Sequence, residues 1–142
     1  MAKESILVGD VMSDRFVLMD GLVTVYEALQ EMKRVEAVVL MVNKRDASDE
    51  YGVVVLADIA KKVLAKDRSP KRVNVYEIMT KPVISVHPTM KIRYCAQLFL
   101  QFGIACAPVI DGGEVKGLVS YEALVMKGLV LEGGLDEDPS AQ

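Results

Sequence analysis

The chain repeats itself at a fixed spacing, and that repeat limits its fold more than any other feature. The segment "DVMSDRFVLMDGLVTVYEAL" (10–29) lies against "EIMTKPVISVHPTMKIRYCA" (77–96), placing Val11 and Met12 on Ile78 and Met79 at an offset of 67 positions (11 to 78). The same offset carries Val25 to Ile92, Ala28 to Cys95, Met32 to Phe99 and Val35 to Phe102. Both sets fall at i, i+3, i+7 and i+10, the spacing of one buried helical face. Two copies of one supersecondary unit are therefore expected.

A short apolar run follows each expected helix, "AVVLMV" (37–42) in the first copy and "IACAPVI" (104–110) in the second. Polar turns come next, "NKRDASDE" and "DGGEVK", and the DGG tripeptide suits the positive φ of a tight hairpin. The strands "YGVVVL" and "KGLVSY" then align at an offset of 65 (52 to 117), because the second turn is two residues shorter. A closing helix ends each copy. The chain thus reads as α/β, two pseudo-symmetric β-α-β-β-α repeats with a three-stranded sheet in each. The boundaries are a lead over 1–9, a first repeat over 10–64, a charged linker with Pro70 over 65–75, and a second repeat over 76–131. An acidic tail over 132–142 carries Gly and Pro and is expected to be disordered. Each repeat has fewer than about sixty residues and would be marginal alone, so the two are expected to pack sheet to sheet.

Composition narrows the function classes. Hydrophobic residues make up 51% of the 142 and charged residues 26%, a globular balance. A net charge of −3 argues against a nucleic-acid surface as the main role. Cys95 and Cys106 form no CxxC or Cys/His spacing, so reduced, buried thiols are expected and no metal site. The opening "MAKESILVGD" lacks the apolar core of a signal peptide, and no run approaches the roughly 20 apolar residues of a membrane span. A soluble cytoplasmic protein is expected, with neither nucleic-acid nor membrane partners.

Several short stretches carry a likeness: "VGDVMS" and "VYEIMT" opening the repeats, "TVYEAL", "APVID", and "GVVVLADI" and "GLVSYEAL" closing them. Here the sequence resembles the tandem cystathionine-beta-synthase-type (CBS) domain pair, over residues 8–131. The resemblance implies a non-enzymatic regulatory module that senses an adenosine-containing ligand in clefts between its repeats. AMP, ADP, ATP and S-adenosylmethionine are the implied ligands, and a homodimer that signals to a protein target is the implied assembly.

The family's ligand motif is a glycine, two apolar residues, a Ser or Thr, two variable residues and an Asp. The glycine lets backbone approach the ligand, the hydroxyl donates to a phosphate oxygen, and the Asp accepts from both ribose hydroxyls. Carried onto this sequence, the first copy keeps Gly52 and Asp58 with Val55 in the hydroxyl position. The second keeps Gly117 and Ser120 with Ala123 in the acid position. The first cleft should then recognise ribose, and the second should favour phosphate or bind little. The implied apolar walls are Val17, Val39, Leu40 and Val54 in one copy and Ile84, Ala107, Pro108 and Val119 in the other.

Each of these residues also has a plainer role. Asp58 and Ser120 stand where helices begin and can cap them, and the walls can be ordinary core. Lys61, Lys62, Lys66, Arg68, Lys71 and Arg72, opposed only by Asp67, offer a patch for a phosphate or an anionic partner, but read better as a solvated helix end and linker. Arg15 and Lys81 lie nearer to where the resemblance would put phosphates. His87, the only histidine, precedes Pro88 in a turn and has no accompanying nucleophile. The eight methionines read as core filler or a dimer surface. Leu29, Leu98 and Leu100 lie outside the buried stripes and suggest that dimer surface. The rival reading is a ligand-free dimerisation or protein-interaction module on the same scaffold.

Overall fold

The structure, a computed structural model, describes residues 5–131, so the acidic tail lies outside the described residues. The chain enters the first repeat through α1 (Val8–Val11), and the repeat supplies β1 (Phe16–Met19), α2 (Val25–Val35), β2 (Val39–Val42), β3 (Gly52–Val55) and α3 (Leu56–Ile59). The second supplies α4 (Ile92–Phe102), β4 (Cys106–Asp111), β5 (Glu114–Ser120) and α5 (Tyr121–Ala123). Both closing helices widen into π-type turns, Ala60–Leu64 after α3 and Leu124–Leu129 after α5. Among the described residues no helix is long and apolar enough to cross a membrane.

Thr24 fixes the start of α2. Its Oγ1 accepts from the Glu27 N–H at 3.1 Å, and Glu27 Oε1 accepts from the Thr24 N–H at 3.4 Å, a reciprocal capping box. The helix buries Val25, Ala28 and Met32, and α4 buries their equivalents Ile92, Cys95 and Phe99. Val35 and Phe102, fourth in the expected stripes, are exposed instead. Each is the last residue of its helix: Glu36 and Gly103, equivalent at the 67-residue offset, turn the chain away with φ of 58° and 64°. Burial pushes the Cys95 thiol up to about 11, and Cys95 and Cys106 form no disulfide, with Cys106 only half-buried.

In the first sheet β1 pairs with β2 in parallel and β2 with β3 antiparallel, putting Val17, Leu40 and Val54 in one row. In the second, Gly112 (φ 61°) and Gly113 (φ 78°) make the tight turn expected of DGG between β4 and β5. The expected third strand of this sheet does not form. Residues 83–86 reach β4 through a single parallel bridge, Val86 to Val109, in which the Val86 N–H donates to Pro108 O and the Ile110 N–H to Val86 O. Continuing that ladder would need an N–H from Pro108 to Ile84 O, and proline has none. Met41, at the equivalent position of the full sheet, has one.

By packing, the chain divides into one unit of residues 15–83 and another joining the N-terminal residues through Asp14 to those from Ile84 onward. Two equivalent lead segments, residues 7–13 and 74–80, therefore each serve the strands of the opposite repeat. In one unit Ser13 and Leu118 exchange backbone hydrogen bonds of 2.8 Å each way; in the other Thr80 and Val53 do so at 2.9 Å. Equivalent acids start the two leads, with Asp10 accepting from the Leu7 N–H at 2.9 Å and Glu77 from the Asn74 N–H at 2.7 Å. Half of the basic run ties into the 15–83 unit: Lys62 donates to Ile78 O at 3.0 Å, Arg68 pairs with Glu77 at 3.1 Å, and Lys71 lies 4.8 Å over the Tyr26 ring. Leu29 and Leu98 pack against their cores, while Leu100 is 80% exposed.

Candidate functional site

The two polar motif residues do related work at two helix starts. Ser120 is the residue before α5, and its Oγ accepts from the Ala123 N–H at 3.2 Å. Asp58 sits three residues after Val55 and reaches back, its Oδ2 accepting from the Val55 N–H at 3.0 Å. A full capping box uses both bonds at one helix. Here each repeat keeps one half, which is a complete structural reason for the different polar residue in each copy. A carboxylate retains further acceptor capacity after such a bond. The Asp58 side chain is 21% exposed, and its Oδ1 lies 3.9 Å from Lys62 Nζ.

The motif glycines answer to methionines. A Cβ on Gly52 would stand 2.6 Å from Met79 Sδ, and one on Gly117 would stand 2.9 Å from Met12 Sδ and 3.0 Å from Ser13 O. Met12 and Met79 are equivalent residues of the two lead segments, so the glycines admit those segments onto the strands. Close packing accounts for a glycine at both positions. Gly117→Ala is expected to cost about 1–3 kcal/mol, because the Ser13 carbonyl accepts from the Leu118 N–H in a backbone pair that cannot swing aside. Gly52→Ala should cost less, since a thioether can swing aside. Urea unfolding of both variants measures this; a larger loss for Gly52→Ala would contradict it.

Strand alternation sorts the apolar candidates into two faces. Val17, Leu40 and Val54 point with α2 into the core, and Ala107 and Val119 do the same in the other unit. Val39 pairs with Val55 on the opposite face of the first sheet, which it shares with Met41 and Val53. In the second unit that face carries Cys106 and Ser120, paired with each other, and Pro108 paired with Leu118. Ile84 is exposed on the segment that forms no strand. Residues next to the motif positions that sequence reasoning passed over are thus Met41, Val53 and Cys106, while Lys62, read from sequence as part of a basic run, stands beside Asp58. Period-two alternation marks the first three, and the i, i+4 spacing from Asp58 marks Lys62.

Lys81, a candidate for phosphate, already pairs with Asp49 at 2.5 Å. That bond, helped by the Arg45 and Glu50 N–H groups, holds the Asp49 carboxyl well below the usual carboxylate range. His87 gains a partner that sequence did not show, its Nε2 lying 3.1 Å from Asp111 Oδ1. No cluster of His, Cys, Asp or Glu among the described residues could hold a metal ion.

The CBS domain family's sequence pattern matches residues 75–128. A hexameric CBS-CP12 protein from bloom-forming cyanobacteria is similar at 36% identity, over 88% of this chain and 69% of its own, with a TM-score of 0.84. The CBS domain pair of protein MJ0100, solved with 5′-methylthioadenosine and S-adenosyl-L-methionine, is 25% identical over 87% of this chain and 99% of its own, with a TM-score of 0.72. A CBS domain protein from Pyrobaculum aerophilum complexed with AMP shares the fold at 20% identity and a TM-score of 0.75, over 89% of this chain and 97% of its own. A protein of Methanopyrus kandleri is 27% identical over 101 residues, 70% of this chain. The chain spans about half the length of the curated relatives it matches, 50% of one and 59% of another.

Proposed function

Since the chain belongs to the CBS-domain family, we propose that it is a non-enzymatic sensor that binds an adenosine-containing ligand, AMP, ADP, ATP or S-adenosylmethionine, at the Asp58 helix start. The observation that carries this reading is the state of Asp58. One oxygen is committed to the Val55 N–H, while the other is beyond hydrogen-bond distance of Lys62 in a side chain that still meets solvent. A ribose diol can add to such a carboxylate without breaking the cap. Support comes from the related proteins solved with AMP and with S-adenosylmethionine. Ser120, with no acid three residues on, is assigned to phosphate or to capping alone.

A second reading is favoured by the caps themselves, which account for both polar residues without a ligand: a protein-interaction module. A thermal-shift panel of AMP, ADP, ATP, NAD and S-adenosylmethionine separates the two. A ligand at about 100 times its dissociation constant adds about 2.7 kcal/mol, a readable shift. No shift with any of them at millimolar levels would leave only the interaction module. Under either reading we assign a homodimer to the exposed apolar residues Leu100, Phe102 and Met126. Sedimentation as a monomer at micromolar concentration would contradict that assignment.

A further inference from the structure

Within the unit of residues 15–83, the turn after β1, the loop after β2 and the segment around Tyr76 enclose a cleft of about 560 Å³. It lies at the end of the first sheet away from Asp58. Val42 pairs with Gly52 at this end, whereas Val39 pairs with Val55 at the end where α3 begins. Val42 and Met79 give it an apolar lining, and Leu22 and Tyr76 expose 73% and 49% of their surface. Lys44, Arg45 and Lys81 stand around it, with Asp20 as the one acid in the lining. Asp20 is occupied by the turn, its Oδ1 accepting from the Leu22 N–H at 2.8 Å. Arg45 and Lys81 share Asp49 at 3.3 and 2.5 Å, and Lys44 lies 4.9 Å over the Tyr51 ring. Three cations thus face two carboxylates.

The other repeat shows that the scaffold does not require this arrangement. At the 67-residue offset Gly21 becomes Pro88, Asp20 becomes His87, Lys44 becomes Asp111, Tyr76 becomes Gly9 and Lys81 becomes Asp14. There Pro88 closes on Gly9, where an added Cβ would stand 3.2 Å from Pro88 O, and His87 bridges to Asp111. One position in the fold is bridged and acidic in one unit and an open, basic cleft beside an aromatic ring in the other. The longer loop after β2 supplies two of the three cations, and loops are where a scaffold gains function.

We propose that this cleft is a second small-molecule site, for a compact ring-bearing phosphate. The phosphate would sit among Lys44, Arg45 and Lys81, and the ring against Tyr76 and Met79. The volume is within the range of ligand pockets, about 300–1,000 Å³, and a mostly apolar lining with a few charged groups is their usual chemistry. A dianionic phosphate suits three cations better than a carboxylate does. The site is independent of the adenosine reading and stands or falls without it.

An amide-resonance titration of the full chain with phenyl phosphate tests the proposal, with inorganic phosphate and phenol as comparison arms. Saturable shifts are expected at Gly21, Leu22, Lys44 and Tyr76. The double change Lys44→Ala with Arg45→Ala, and separately Tyr76→Ala, should each weaken binding about fivefold or more. Lys127→Ala, on the other unit, should leave it unchanged. Shifts centred elsewhere, none up to about 10 mM, or equal affinity for inorganic phosphate or phenol would overturn the proposal.

Discussion

Phe99→Ala is expected to destabilise the protein by about 3–5 kcal/mol, the range for removing a fully buried aromatic side chain. Phe99 has no exposed surface and is the largest fully buried side chain in the described chain. It belongs to the second unit's core, with Cys95 and Ile92 on its own helix, Val109 and Val119 on the strands and Val11 from the opening segment. Its ring meets Tyr121 edge-on, centroids 5.2 Å apart at 79°, a contact worth about 0.5–1.5 kcal/mol beyond burial. Domains of this size hold about 5–15 kcal/mol in all, so the variant should sit near its unfolding threshold. Phe99→Leu keeps most of the volume and should lose about 1–2 kcal/mol. Urea midpoints read both. A loss below about 1 kcal/mol for Phe99→Ala would mean that the core is not organised around α4.

Ala123→Asp, made in an Asp58→Ala background, is expected to do two separable things. The new carboxylate stands three residues after Ser120 and can accept from the Ser120 N–H, as Asp58 does from Val55. That completes the capping box and should recover about 0.5–1 kcal/mol of stability with no ligand present. Part of this is offset because Ala123 is half-buried against the core. The same carboxylate should give the second motif its ribose acceptor beside the Ser120 hydroxyl. A charge-assisted bond is worth about 1.5–3 kcal/mol, so AMP affinity should rise roughly ten- to a hundredfold over Asp58→Ala alone. Glu122, exposed next to it, will take back some of the gain with a phosphorylated ligand. Calorimetric titration with AMP and ATP reads the affinity, and urea unfolding without ligand reads the cap. A more stable variant with no gain in affinity would assign the motif positions to capping alone.

Local pattern was legible in the sequence. The 3.6-residue spacing of Val25, Ala28 and Met32, and of their equivalents, gave the two helices and their buried faces, and DGG gave the hairpin. What spacing could not give was partner choice. The 67-residue offset says that Met12 and Met79 are alike, but not that each packs against a glycine of the opposite copy. That crossing depends on long-range pairing of Ser13 with Leu118 and Thr80 with Val53, which leaves no periodicity. The missing strand was legible in principle, since Pro108 stands at a donor position, but only once the parallel register was known. The candidate walls divided for a similar reason. Alternation separates Val39 from Leu40 and Ala107 from Pro108, so adjacent residues in the motif cannot line the same surface. The cap bonds of Asp58 and Ser120 were foreseeable from their places before or within a helix's first turn, whereas their being two halves of one device became visible only in the bonds.

Calorimetric titration of AMP, and of whichever other ligand the thermal panel selects, into the unmodified chain and into Asp58→Ala tests the central claim most directly. Losing the ribose acceptor should weaken binding by about 1.5–3 kcal/mol, roughly ten- to a hundredfold. Losing the cap should cost the fold only about 1 kcal/mol, so the variant remains folded for the comparison. A folded Asp58→Ala variant that binds the ligand as tightly as the unmodified chain would contradict the account, leaving Asp58 as a helix cap and nothing more.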